Sequence, residues 1–340
     1  MKASSLIKTV LISAVLSALG LAYVIYRVGK PGELLLIREI KPFWFGLAIF
    51  SLVFSYFSGS HRLKMFATRL GHPIDTWQAL KTHLLGMFSA AITPSGSGNA
   101  PLIAYQLEHY GLDRHSAWSA AISTFAHDTL YFSWSMPIAL IILHFSKIYQ
   151  PGLAVNALAV FAIAVTSLAT YIFSFRLKLL ILIVNFFFRG PLERFKEKGL
   201  EFTNRLISAH EVFSSVKASW YLLVQLFSAL AWWSFFATIF FITKGFGLNL
   251  SIFATEAYQS FITALSFAIP TPGGSGFFEL GISPMLSSAN PDNLKYIPAV
   301  ILLWRLITYY STFIIGPVLG GNLVLQKMIA AQASEAESGK

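Results

Sequence analysis

The chain has 340 residues, 55% of them hydrophobic and only 12% charged, with a mean hydropathy of +0.64. Soluble domains carry about 25% charged residues, so a water-facing surface of this size is excluded and the sequence reads as an all-α polytopic membrane protein. The formal charge of +10 belongs to loops that set topology rather than to a nucleic-acid surface, and the absence of cysteine excludes disulfides, thiolate chemistry and Cys-ligated metals.

Lys2 and Lys8 precede an apolar run, Val10–Val28, that has the outline of a signal peptide. Its length, and the lack of a small-x-small cleavage site before a soluble domain, favour an uncleaved first span over Leu6–Tyr26. A mixed-charge loop from Arg27 to Lys41 leads to a second span, Pro42–Ser58, with Trp44 placed as an interfacial anchor. A basic segment follows (Arg62, Lys64, Arg69, Lys81), interrupted by Gly71 and Pro73. Trp77–Ile92 is then helical, stops at Thr93-Pro94-Ser95-Gly96-Ser97-Gly98, and resumes as Asn99–Tyr110. At ~1.5 Å per residue neither arm crosses a hydrocarbon core of ~30 Å. Residues 77–110 are therefore expected to form a re-entrant hairpin.

Arg114–Phe145 is a long span with His127 and Asp128 near its middle and a kink expected at Pro137. After Gln150-Pro151-Gly152 another span runs to about Phe175. From Arg176 to Lys217 there are eight Lys or Arg against four Glu. There Leu192, Phe195, Gly199, Phe202, Leu206, Ala209 and Phe213 make one helical stripe. The segment fits an amphipathic helix on the cytoplasmic membrane surface or a small cytosolic hairpin packed on itself. Trp220–Thr243 is the next span. Ser251–Pro270 enters a second break, Thr271-Pro272-Gly273-Gly274-Ser275-Gly276, and Phe277–Leu286 leaves it, so 251–287 is the second re-entrant hairpin. Tyr296–Val318 is the last span, with Arg305 inside it, and residues 326–340 read as a disordered tail.

The two breaks agree at five of six positions, at an offset of 178. The offset also brings Ala90 onto Ala268, Ala121 onto Ala299, Tyr131 onto Tyr309, Ser133 onto Ser311 and His127 onto Arg305. The chain thus divides into a first repeat, residues 1–150, and a second, 151–325, together holding about six full spans and two hairpins. With 176–217 placed in the cytoplasm, 17 of the 25 Lys and Arg lie inside, 7 outside and Arg305 within the membrane. Both termini are then cytoplasmic, and the hairpins enter from opposite sides. These are inverted-topology repeats, the arrangement of secondary transporters that bind substrate at broken helices.

A helix restarting after glycines aims unpaired N–H groups and its positive dipole end at the gap, which favours an anion such as a lipid phosphate. A P-loop is a poorer fit, because neither break ends in Gly-Lys-Ser/Thr or follows a strand. Ionisable residues inside spans are functional candidates by default. Here they are His127, Asp128, Glu256, Glu279 and Arg305, with Glu108 and His109 near a rim. Arg305 suits phosphate or an ion pair with Glu279 or Asp128; His127-Asp128 suits a proton switch or a helix–helix hydrogen bond. Trp232-Trp233 and the Phe pairs read as lipid-facing or packing residues. The candidate substrate-binding set is Thr93, Pro94, Gly96, Ser97, Gly98, Asn99, His127, Asp128, Thr271–Gly276, Glu279 and Arg305. No catalytic residue, metal cluster or cofactor is assigned.

The run Pro270-Thr271-Pro272-Gly273-Gly274-Ser275-Gly276-Phe277-Phe278-Glu279, with Thr93–Asn99 as its counterpart, resembles the signature of the lysylphosphatidylglycerol synthase transmembrane (flippase-like) family. The resemblance covers nearly the whole chain. It implies a bacterial or archaeal cytoplasmic-membrane protein related to the part of multiple-peptide-resistance proteins that flips aminoacylated phosphatidylglycerol. A stand-alone member is expected, because only a short polar tail follows the last span where those proteins carry an aminoacyltransferase domain. Three functions are carried forward: a flippase holding a lipid headgroup at the two breaks; an intramembrane lipid-modifying enzyme using His127 and Asp128 as acid and base; and a scaffold docking a lipid synthase through 176–217.

Overall fold

Inside a bilayer no backbone N–H or C=O can stay unpaired, and a helix closes those bonds within one segment. The structure is a computed structural model that describes residues 3–28, 30–146, 178–187, 196–266, 271–316 and 318–320, with isolated positions between 157 and 176 and at 193 and 269. Helix α1 (Ala3–Val28) is followed by a 3₁₀ segment, Pro31–Glu39, and by α2 (Pro42–Arg69). Helices α3 (Thr76–Ile92) and α4 (Asn99–His109) flank the first break, and α5 (Arg114–Ser146) follows. Next come α6 (Leu179–Phe187), α7 (Lys196–Glu211) and α8 (Ala218–Gly245). Helices α9 (Ile252–Ser266) and α10 (Phe277–Ala289) flank the second break, and α11 (Ile297–Arg305) continues through a π turn at Leu306–Tyr310.

Among the described residues, four stretches are long and apolar enough to span a membrane: Pro42–Arg69, Arg114–Ser146, Ala218–Gly245 and Pro291–Gly320. Large apolar side chains such as Phe50, Phe145 and Leu222 stand exposed on their outer faces, where hydrocarbon is the matching solvent. The chain is an all-α polytopic membrane protein. The predicted span ending at Phe175, the Gln150–Gly152 turn, the 326–340 tail and the repeat position Ala268 lie outside the described residues.

The second span was expected to end at Ser58, but α2 continues to Arg69. The reason is a buried face of Ser51, Ser55, Ser58, Gly59 and Arg62, spaced to lie along one side of the helix. This face packs on α8. Ser51 Oγ donates to the Ser234 carbonyl and Ser55 Oγ to the Ala231 carbonyl, each at 2.7 Å. Small residues let the two backbones approach, which is how membrane helices gain contact without a hydrophobic drive. Both helices have 28 residues, about 42 Å at 1.5 Å per residue. The 178-residue offset maps one onto the other, so two helices at matching places in the sequence pack on each other.

Helix α7 packs on the start of α5, burying Thr203 and Ile207, with Phe202 edge-on to Trp118 at 5.8 Å. Phe213 is buried between the rings of Phe66 and Trp220, at 5.6 and 5.8 Å. Phe202 and Phe213, two members of the apolar stripe, thus dock on protein.

The half-span arms are short, as their boundaries require: 17 and 11 residues for α3 and α4, and 15 and 13 for α9 and α10. Helix α3 starts on a capping box, in which Asp75 Oδ1 accepts from Gln78 N–H at 2.8 Å and Gln78 Oε1 accepts from Asp75 N–H at 2.9 Å. The main apolar core lies among α5, α8, α9, α10 and α11, around Tyr258, Phe261, Ile282, Met285 and Trp304.

Candidate functional site

The two breaks touch. Pro94 and Pro272, which occupy the same place in the two repeats, form an isolated antiparallel bridge. Antiparallel pairing of equivalent residues is what a local two-fold axis would produce. The turns themselves repeat. Gly96 N–H donates to the Thr93 carbonyl and Ser97 N–H to that of Pro94, at 3.2 and 3.0 Å. Gly274 to Thr271 and Ser275 to Pro272 reproduce these distances. Ser95 and Gly273 share a left-handed φ of 50° and 56°, and Gly96 and Gly274 one of 70° and 62°.

After the turns the repeats diverge. In the first break Thr93 Oγ1 accepts from Gly98 N–H at 2.8 Å; in the second, Gly276 N–H donates to Glu279 Oε2 at 2.9 Å. Pro101 holds the place in the first repeat that Glu279 holds in the second. The first N-terminus is capped by a neutral hydroxyl. The second carries the protein's own carboxylate at the positive end of α10. Asn99 packs back on Gly86 of α3, and Thr271 Oγ1 is buried without a partner.

Glu279 and Arg305 are both buried and paired, Nε to Oε1, at 2.7 Å. Of the two partners expected for Arg305, Glu279 is the one it meets. Ser17 of α1 donates to the same Oε1, and Tyr310 Oη donates to Ser17 Oγ at 2.6 Å. The guanidinium lies 4.1 Å from the ring centroid of Tyr309, which sits in the π turn, a cation–π contact. The Tyr309 hydroxyl in turn sits 2.8 Å from Ser275 Oγ and donates to the Ala91 carbonyl at 3.3 Å, joining α11 to both hairpins. Arg305 Nη2 is buried with no acceptor. The crevice beside it, between Ser17, Leu21 and Tyr310, has no room for a water molecule.

His127 and Asp128 do not form an acid/base pair with each other. Asp128 takes a bidentate contact from Arg62, 2.5 and 3.0 Å, and a 2.8 Å bond from Trp232 Nε1. His127 Nδ1 meets the Gln225 amide at 3.0 Å, between the rings of Phe66 and Tyr221. Neither touches Arg305 through any contact found among the described residues. The candidate residues therefore fall into two groups. The breaks, Glu279 and Arg305 form one, and His127 and Asp128 belong to a polar cluster between α2, α5 and α8.

Three members of these groups escaped the sequence reading. Arg62 was assigned to a basic loop, yet it is 2% exposed inside α2. Its signal was the Ser51, Ser55, Ser58 series leading to it at helical spacing. Trp232, expected to pack or face lipid, is a hydrogen-bond donor to Asp128. Ser17 left no signal, because one serine in an apolar run is unremarkable. Near Arg62 on the same helix a groove of about 200 Å³ opens, lined by Phe54, Phe57 and Phe227 together with His61, Lys64 and Thr76.

The sequence profile described as the lysylphosphatidylglycerol synthase TM region matches residues 10–316. A UPF0104 membrane protein of Archaeoglobus fulgidus is 25% identical over 284 residues, covering 80% of this chain and 84% of that protein. A UPF0104 membrane protein of Methanocaldococcus jannaschii is 31% identical over 142 residues, covering 42% of this chain and 59% of that protein.

Proposed function

The chain belongs to the lysylphosphatidylglycerol synthase TM-region family, and from that premise we propose that it moves a phospholipid or related lipid between the leaflets of a prokaryotic cytoplasmic membrane. The observation that carries this reading is the meeting of two broken-helix hairpins at equivalent prolines, next to a buried arginine with an unused donor. Transporters built from inverted repeats bind substrate where their broken helices converge. The exposed hydroxyls of Ser95 and Ser97 in the first break offer neutral polar groups to a headgroup, and Arg305 Nη2, buried here, offers a cationic donor once its crevice opens. The amphipathic groove at His61, Lys64 and Phe227 suits a lipid approaching from the bilayer, with a cationic end for the headgroup and aromatic walls for the chains. Burying Arg62 leaves 16 basic residues on the assigned cytoplasmic side against 7 outside, so the topology argument for opposed hairpins and cytoplasmic termini survives the change.

The test uses the lack of native cysteine. Antiparallel bridge partners have Cα atoms about 4.5–5.5 Å apart, within the disulfide range of about 4.4–6.8 Å. Cysteines placed together at 94 and 272 will cross-link the hairpin tips on oxidation. In liposomes carrying a labelled phospholipid, the oxidised double variant is expected to stop movement between leaflets and the reductant dithiothreitol to restore it. Equal lipid movement in the oxidised and reduced states would overturn the reading.

A further inference from the structure

Glu256 takes no part in either cluster. It lies on α9, the inward arm of the second hairpin, 6% exposed, and both carboxyl oxygens lack a hydrogen-bond partner. An ionised carboxylate in such a place is among the costliest arrangements a protein interior can hold. Its surroundings are polar and equally unsatisfied. The Tyr131 hydroxyl of α5 lies beside Ser135, Ser260 and Glu256, yet closes a full hydrogen bond with none of them. Ser135 Oγ is buried and unpartnered, as are both amide atoms of Gln259, one turn along α9 from Glu256. Unpaired buried polar atoms are rare and mark a water or ion site or a functional group. Here they gather on facing helices.

Among the described residues, the neighbouring elements bring no cation to balance Glu256. Helix α5 presents Tyr131 there; Asp128, one turn away, is held by Arg62 and Trp232 and His127 by Gln225. Between Lys217, just before α8, and Lys244, near its end, the only ionisable side chain is Tyr221. Helix α10 contributes Glu279, which is held by Arg305. On α9 itself the remaining ionisable group, Tyr258, donates to the Gly281 carbonyl at 2.5 Å.

We propose that Glu256, with Tyr131, Ser135, Gln259 and Ser260, is an exchangeable monovalent-cation site that holds either a proton or Na⁺. One carboxylate surrounded by neutral oxygen groups matches a single positive charge. A divalent ion would retain excess charge in an apolar surround, and an anion would meet repulsion. Filling the site neutralises Glu256 and lets α9 pack on α5; emptying it leaves a bare charge between the two helices. The site stands whatever the protein carries, since it is defined by its own unpaired atoms.

The test follows thermal stability of the full chain in lipid nanodiscs across pH, in sodium chloride and in choline chloride. If the site takes Na⁺, sodium raises the Tm of the wild type where choline does not. Proton competition then weakens the apparent Na⁺ affinity about tenfold per pH unit on acidification. If it takes a proton alone, the two salts coincide and Tm falls as pH rises, because the unfolded carboxyl ionises freely while the folded one is held neutral. In both cases Glu256→Gln removes the dependence. Should that variant fail to fold, infrared difference spectra of the wild type read the site directly. They would show the carbonyl stretch of a protonated carboxyl for a proton, or a sodium-dependent shift of the carboxylate bands for Na⁺. A wild type that shows neither signature, or a folded Glu256→Gln that keeps the same pH and sodium response, overturns the site.

Discussion

Tyr131 and Tyr309 stand at the same place in the two repeats and end up in different surroundings. Tyr309 sits in a π turn, bonds Ser275 and the Ala91 carbonyl, and pins both hairpins at their tips. Ala91 corresponds to Ile269 in the second repeat, yet Tyr131 lies beside Ser260. The two contacts differ by nine residues in register. The breaks show the same asymmetry. The second is covered by α1, where Gly20 approaches the Gly276 backbone so closely that a Cβ would come within 2.9 Å, and it is locked by Glu279. The first leaves Pro94, Ser95 and Ser97 exposed. One motif has thus become a lock in one half and an open surface in the other. On the proposed transport reading, such unequal halves would be one end of an alternating-access cycle.

The largest way to break this contrast is to remove the lock. Glu279→Ala strands Arg305 as an unpaired charge in a dry crevice, a loss of about 3–5 kcal/mol. Purified protein should show it as a large fall in Tm. Ser97→Ala in the exposed break should cost less than about 0.5 kcal/mol, as surface changes do. Replacing Glu279 and Arg305 together by Leu and Met should recover most of the stability, because the desolvation of both charges disappears with them. A Glu279→Ala protein within about 1 kcal/mol of wild type would mean that the pair holds nothing together.

How far the sequence carried the reading follows from which forces are local. Span lengths, broken arms and the repeat were legible because hydropathy and glycine-proline punctuation act over a few residues. The contact of the two breaks was legible through symmetry alone. What was lost depends on partners distant in the chain. Arg62 looked like a loop cation because hydropathy cannot register a charge whose counter-charge, Asp128, sits 66 residues away. The different surroundings of Tyr131 and Tyr309 were invisible, because an exact sequence offset carries no information on how each half packs. Glu279 was identified, but its role as the N-terminal anion of α10 required knowing that it folds back on Gly276.

A second pair of substitutions separates lock from surface at the glycines. A Cβ at Gly273 would lie 2.2 Å from the Tyr309 ring and 2.9 Å from the Ala91 carbonyl, at a φ of 56°. The backbone oxygen cannot swing away, so Gly273→Ala combines overpacking of about 1–3 kcal/mol with left-handed strain of about 1–2 kcal/mol. At Gly96 the Cβ meets only the Ala90 methyl, 3.6 Å away, at a φ of 70°. Gly96→Ala should therefore show the strain alone. Equal losses on denaturant unfolding would contradict the placement of Tyr309 over the second break.

The smallest effect is the most specific to the comparison. Tyr309→Phe removes a hydroxyl that Ser275 and Ala91 both use and leaves buried Ser275 without that partner, a loss of about 1–3 kcal/mol. Tyr131→Phe removes a hydroxyl that closes no full hydrogen bond. At low pH, where Glu256 is neutral and makes no demand on its neighbours, that change should stay within about 0.5 kcal/mol of wild type. The same substitution at equivalent positions thus reads out which tyrosine serves the tips. If the halves exchange conformations during transport, conditions that trap the opposite state should exchange the two sensitivities, with Tyr131→Phe becoming the costly variant. Losses that stay unequal in the same direction in every trapped state would mean that the asymmetry is a fixed feature of the fold and not one end of a cycle.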